Sequence, residues 1–237
     1  MDLLENVAGI GHAGVNFMKP RCSERRNQAL TLVEVLVVIF VVGVFALMFL
    51  PSGNYNSVYR KAKRIECVNN LKEISLACQI WERDHGGNYP MDVSMTNGGA
   101  MELARTGEAA IIFQVMSNEL STPKILLCPA DEDHSLATNF LVGFSAKNIS
   151  YFANPDASPT NTQSLLSGDD NFEIGGVPVK SGRLECSTNS LIRWSGTRHK
   201  LNGNIGLTDG SVYMLNISGL QQAFKNSGSS ANRILIP

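Results

Sequence analysis

From Val35 to Leu50 the chain runs without a charge, interrupted only by Gly43. Extended back to Leu30, the segment holds a single ionisable residue, Glu34. Crossing a hydrocarbon core of ~30 Å takes about 20 residues at ~1.5 Å per residue. The length therefore predicts one membrane-spanning helix. It exceeds the roughly 7–15 apolar residues of an ordinary secretory signal, and no small-x-small cleavage site follows it. Pro51-Ser52 ends the run, and the chain beyond is polar. This concentration of apolar residues is the main departure from a bland composition. Charged residues make up 17% and the formal net charge is -1. That balance excludes the basic excess of a nucleic-acid binder and gives no acidic tail.

Orientation needs more than charge counting. Lys19, Arg21, Arg25 and Arg26, partly offset by Glu24, make a basic flank before the span, which suits the cytoplasmic side. Arg60, Lys61, Lys63 and Arg64 lie close after it, so the count is nearly a tie. A leader too short to fold and cross places the N-terminus in the cytoplasm and the bulk of the chain outside. Residues 1–17 show no periodic pattern, and Met18 offers a second start, giving a leader Met18–Ala29.

The specific feature is Ala29-Leu30-Thr31-Leu32-Val33-Glu34-Val35-Leu36. A carboxylate this far into an apolar helix costs about 2.5–3.5 kcal/mol on insertion scales. A residue that costly needs a partner. If the chain is cut between Ala29 and Leu30, Glu34 becomes the fifth residue, and a neighbouring subunit's new ammonium can compensate it. In these residues the sequence resembles the type IV pilins and the pseudopilins of type II secretion. That resemblance implies cleavage after Ala29 by a prepilin peptidase, methylation of the new amino group on Leu30, and packing of apolar helices into a filament. The chain departs from the family pattern in having Ala29 where Gly is usual and Leu30 where Phe is usual, which implies slower processing. Pro51 matches a proline common at that place. A simple signal anchor with an accidental Glu is the alternative, and it too leaves a single-pass membrane protein.

After Pro51, Val58, Ala62, Ile65, Val68, Leu71, Ile74, Cys78 and Trp81 recur at steps of three or four. The spacing predicts an amphipathic helix from about Asn54 to Asp84, stopped by Gly86-Gly87-Asn88. With Leu30–Leu50 it would form a helix of roughly 80 Å at ~1.5 Å per residue, bent at Pro51. The expected organisation is a leader at 1–29, a transmembrane helix at 30–51, an amphipathic helix at 52–84 and an exported head at 85–237. The fold class is α+β: the long helix packs on a head with a small antiparallel sheet. Within the head a helix is expected around Gly107–Leu120, and strands at Ile125–Leu127 and Ile149–Phe152. A hairpin is expected at Asn204–Thr208 and Ser211–Leu215 across a two-residue type I′ turn, Asp209-Gly210.

The hairpin carries a second resemblance. His199 followed nine residues later by Asp209-Gly210 is similar to the His-nine-Asp-Gly pattern of a pseudopilin-like group. Cys128-Pro129-Ala130-Asp131, Ser150-Tyr151-Phe152, Leu166-Ser167-Gly168-Asp169 and the end Asn232–Pro237 also look like that group.

Catalysis is not expected. His199 and Asp209, with Ser195, Thr208 or Ser211 as nucleophile, form no Gly-x-Ser-x-Gly elbow, and Asp-Gly is explained by turn geometry. His199 is expected to hydrogen-bond across the hairpin base. Of the cysteines left after cleavage, Cys67 and Cys78 lie eleven residues apart on one helix, about 16 Å, too far to bond. Two pairings remain, 67–128 with 78–186 or 67–186 with 78–128, beside free buried thiols. No Cys-x-x-Cys or His-x-x-x-His suggests zinc. Asp131, Asp133, Asp169 and Asp170 are candidate oxygen ligands for a structural calcium, which some related pseudopilins bind; they lack an EF-hand spacing and are otherwise solvated loops. Arg60, Lys61, Lys63 and Arg64 suit phospholipid headgroups, acidic neighbours in a filament, or plain solvation.

The resulting expectation is a structural, non-enzymatic subunit of a type II secretion-like or type IV pilus-like filament, without a cofactor. It is single-pass in the cytoplasmic membrane with a periplasmic head. Its expected partners are a prepilin peptidase, other such subunits, an assembly platform and membrane lipid, with no nucleic acid. The alternative is a membrane-anchored periplasmic binding module that carries the leader without polymerising.

Overall fold

The computed structural model describes residues 30–49, 55–187, 190–227 and 231–237. The leader with Ala29, and the bend expected at Pro51, lie outside the described residues. The chain divides into two units after Gly53. In the first, α1 (Leu32–Phe49) has no buried residue. Its β-branched and aromatic side chains are poor helix formers in water, so the helix depends on an apolar surrounding that spares its backbone bonds.

The second unit begins with α2 (Tyr55–Asp84), close to the expected bounds. Gly86 and Gly87 end it with φ of 68° and 83°, and the Gly87 amide donates to Glu82 O at 2.9 Å. The apolar stripe is shorter than expected. Cys67, Leu71, Ile74, Cys78 and Trp81 are buried, while Val58 and Ile65 are 65% and 58% exposed. The head covers α2 only from Cys67 onward. The helix expected over 107–120 is split. Gly107, at φ 109°, closes α3 (Met101–Thr106), and α4 (Ala109–Val115) and α5 (Ser117–Leu120) follow. The strand expected at Ile125–Leu127 is a 3-10 turn, Pro123–Leu126, which Pro123 starts and the Thr122 side chain caps.

The sheet is larger than expected. Its strands are β1 (Tyr151–Ala153), β2 (Leu165–Asp169), β5 (Gly182–Ser187), β7 (Asn202–Leu207), β8 (Val212–Asn216) and β9 (Ala231–Ile236). They lie antiparallel in the order β5-β9-β1-β2-β7-β8. A second antiparallel sheet has the order β4-β3-β6, from β3 (Phe172–Ile174), β4 (Val177–Pro178) and β6 (Ile192–Trp194). A last helix, α6 (Ile217–Asn226), connects β8 to β9.

Alternation along the strands divides the core in two. Tyr151, Ala153, Leu166 and Leu235 pack with α2, α3, α4 and α5. Phe152, Leu165, Ile234 and Ile236 point the other way, with Phe172, Trp194, Leu220 and Phe224 from the second sheet and α6. Gly203 is required on this second face, where an added Cβ would come within 2.5 Å of the Trp194 ring. The arrangement is α+β, an apolar N-terminal helix followed by helices and an antiparallel C-terminal sheet.

The β7–β8 hairpin forms, with a different turn. Gly210 N donates to Leu207 O at 3.0 Å and Leu207 N to Ser211 O at 2.9 Å, leaving a three-residue loop, Thr208-Asp209-Gly210. Gly210 alone of these has positive φ, 85°. This is the bulged three-residue loop with a left-handed glycine, and a type I′ turn would need two such residues. Asp209 supports it locally, its Oδ1 accepting from Ser211 N at 2.8 Å.

Candidate functional site

At the start of α1, Thr31 and Glu34 satisfy each other. The Thr31 amide donates to Glu34 Oε2, and the Glu34 amide donates to Thr31 Oγ1, both at 3.3 Å. This is a capping box. The sequence pattern Thr31-x-x-Glu34 is the signal of such a box, beside the intermolecular role that the same carboxylate suggests. Glu34 therefore has a local task before any neighbour arrives. Leu30, the residue that cleavage would expose, is 69% exposed.

In the head the residues singled out by sequence gather in two connected groups. The first is the Cys67–Cys128 disulfide, with a Cα separation of 5.3 Å. It ties α2 to the loop after the 3-10 turn. Of the two pairings left open, half of the first is formed: Cys78 and Cys186 do not bond and match the free buried thiols that were the alternative. Both thiols are buried and free, and they lie in the two different cores, Cys78 on α2 and Cys186 on β5. Burial pushes Cys78 up to about 12 and Cys186 to about 11, so both are inert small hydrophobes.

His199 sits beside the disulfide, its Nε2 3.4 Å from Cys128 Sγ and 3.6 Å from Asp169 Oδ2. It does not bond across the hairpin base as expected. His199 and Asp209 bracket β7, a strand of six residues, and so lie roughly 20 Å apart at ~3.3 Å per residue. They form no catalytic pair. The hydroxyls considered as nucleophiles are engaged elsewhere: Ser195 with Thr197, Thr208 with Asn161 O, and Ser211 with Asp209.

Asp169 is fully buried on β2. Its Oδ2 accepts from Asn204 N at 2.7 Å and from Asn204 Nδ2 at 2.9 Å, and its Oδ1 has no partner. Burial pushes this carboxyl up to about 7. Burial, with the nearby charges of Arg64 and Arg198, lowers His199 to about 4. The imidazole is therefore neutral at neutral pH, and its contact with Asp169 is not a full ion pair.

The second group centres on Arg198, which the sequence reading passed over. Its side chain is 5% exposed. Nη2 pairs with Asp131 Oδ2 at 2.7 Å, and Nη1 pairs with Asp170 and donates to Ser150 O at 3.1 Å. His134 completes the set, its Nδ1 2.8 Å from Asp131 Oδ2. Against the effect of burial, the hydrogen bond from His134 and the charge of Arg198 hold Asp131 well below the usual carboxylate range. Burial raises Asp170 to about 6, with Arg198 pulling the other way. Arg198 gave no sequence signal, because Asp170 is 28 residues away and no periodicity links them.

These contacts bear on metals. Asp131 and Asp170 do converge, but around a guanidinium that already supplies the cation. Asp169 bonds Asn204, and Asp133 is exposed on its loop. Among the described residues, neither acidic cluster gathers three ligand groups of the kind that could hold a metal ion. Cys67, Cys128 and His199 offer ligand atoms within 4.8 Å of one another. With the two sulfurs bonded to each other, neither is a thiolate able to hold a metal.

Among known families, residues 25–50 match the prokaryotic N-terminal methylation motif. This is consistent with a type IV pilin-like or pseudopilin-like protein. The match does not reach the His199–Gly210 pattern. No curated protein and no solved structure matches the chain.

Proposed function

We propose that this chain is a structural subunit of a type II secretion-like or type IV pilus-like filament. A prepilin peptidase cuts between Ala29 and Leu30, and the new amino group of Leu30 is methylated. Until assembly α1 anchors the subunit in the cytoplasmic membrane, its N-terminus inside and its head in the periplasm. An assembly platform then brings subunits together. The chain carries out no reaction of its own, and its buried polar groups serve the fold.

The observation that carries this reading is the methylation-motif match over 25–50, with Glu34 in the first turn of a helix that has no buried residue. Phe40 and Leu47 on that helix are 71% and 67% exposed. Lipid or neighbouring helices must cover them. The bond from the Thr31 amide caps the helix, and among the described residues no cation pairs with Glu34. A neighbour's ammonium supplies the missing charge.

Two substitutions separate capping from charge. Glu34→Gln keeps a capping-box acceptor and loses the charge, whereas Glu34→Leu loses both. Both variants should keep a folded head and a mature N-terminus at Leu30 by mass spectrometry, and both should lose cross-linkable assemblies in the membrane. Unchanged self-association of Glu34→Gln would remove the filament reading, and residues 1–29 still attached to the purified protein would remove the processing step. The second reading, a membrane-anchored binding module that does not polymerise, is favoured by one feature, a cationic recess on the head. It predicts that neither variant changes the oligomeric state.

A further inference from the structure

The first turns of α2 and the loop entering β7 enclose a recess of about 290 Å³. Arg60, Lys61 and Arg64 line it from the helix, and Arg198, His199 and Lys200 from the loop. Among the described residues, no acidic one lines it. Among the described residues, Arg60, Lys61, Arg64 and Lys200 make no ion pair. The basic run on α2 alone reads as a solvated face. What the tertiary structure adds is a second basic wall, brought from well over a hundred residues away in the sequence.

Two of the guanidinium groups on its walls, those of Arg64 and Arg198, are partly packed into the fold. Arg198 is held rigid by Asp131 and Asp170, yet its buried Nε has no partner. The Nε of Arg64 is also buried and unpartnered. Burial, and after it the charges of Arg64 and Arg198, lower the proton affinity of His199, so the imidazole lines the recess in its neutral form. Arg60, Lys61, Arg64 and Lys200, gathered without an ion pair among the described residues, oppose folding, so an anion here would stabilise the head.

The geometry points to a binding site for a phosphate group. Several cationic side chains, three of them the planar guanidinium groups of Arg60, Arg64 and Arg198, match a tetrahedral anion with several acceptor oxygens better than a single carboxylate. The recess is large enough for a phosphate and a short substituent. For this chain the nearest abundant phosphate is a phospholipid headgroup, since Arg60 follows the apolar helix by eleven residues. Free phosphate presents the same chemistry.

Calorimetric titration of the full chain in a neutral detergent tests this. Inorganic phosphate is one probe and dihexanoyl-phosphatidylglycerol the other. Saturable one-site binding of the lipid alone identifies the headgroup as the source, and equal binding of inorganic phosphate identifies the free anion. In either case Arg64→Ala with Lys200→Ala should weaken binding at least about tenfold, while Lys72→Ala, on α2 outside the recess, should not. If the double variant melts below the parent, Arg60→Gln, on an exposed residue, replaces it. The proposal fails if neither probe saturates or if the recess variants bind as the parent does. It also fails if Lys72→Ala loses as much, or if neither probe binds and the recess variants instead disperse assembled subunits. The titration is indifferent to polymerisation, so its failure leaves the filament reading intact.

Discussion

Replacing Arg198 by Met removes one cation from between two buried carboxylates and keeps a long apolar stem. Asp131 is 0% exposed at its side chain and Asp170 5%, so water cannot take over from the guanidinium. Breaking a buried pair from one side costs about 3–5 kcal/mol, because the remaining charge stays buried alone. In a head of this size each kcal/mol moves the melting temperature by about 2–4 °C. The expected fall is therefore on the order of 6–20 °C, read by near-ultraviolet circular dichroism of the full chain in detergent. The pH dependence gives a second handle. Parent Asp131, held below its ordinary range, contributes stability above about pH 4 that is lost on acidification. In the variant both carboxyls lose their cation and titrate higher, so their contribution is lost as pH rises through the new values. The deficit should be largest near pH 8 and smaller near pH 5. Adding Asp131→Asn and Asp170→Asn should recover much of it. A melting temperature within about 2 °C of the parent would refute the reasoning, as would a deficit that grows on acidification.

Reducing the Cys67–Cys128 bond, or replacing both by Ala, opens a loop of sequence separation 61. It should cost about 4 kcal/mol, seen as a reductant-dependent drop in melting temperature that the double variant no longer shows. His199, held near 4 in the fold against about 6.5 when unfolded, makes stability fall as pH drops through that window. Asp169, raised to about 7, makes stability fall as pH rises from about 4 to about 7. Melts between those limits should show His199→Asn removing the acid-side loss and Asp169→Asn removing the neutral-side loss. A parallel pH profile in either variant would contradict the assignment.

The parts of the fold that were legible are those whose signal is local. The apolar span, the motif around Glu34 and the stripe from Cys67 to Trp81 repeat at helical steps within one segment. The hairpin was marked by Asp209-Gly210, although the turn type was not, because one left-handed glycine suffices when Thr208 adds a third loop residue. The central strands were hidden for a physical reason. With both faces covered, Tyr151-Phe152-Ala153 and Leu165–Asp169 are buried throughout and show no alternation of polar and apolar residues. The 3-10 turn at Pro123–Leu126 was misread as strand because a short apolar run carries no period.

By itself the sequence determined that the chain has one apolar helix with a carboxylate in its first turn, a leader motif before it and an α+β head after it, since each follows from neighbours within a few turns. Which cysteines bond, what His199 touches, why Asp131 and Asp170 face a guanidinium and where two basic segments make one recess were decided only by the tertiary structure. Each of those contacts joins residues tens of positions apart, and the sheet order β5-β9-β1-β2-β7-β8 brings them together through packing that no local pattern encodes.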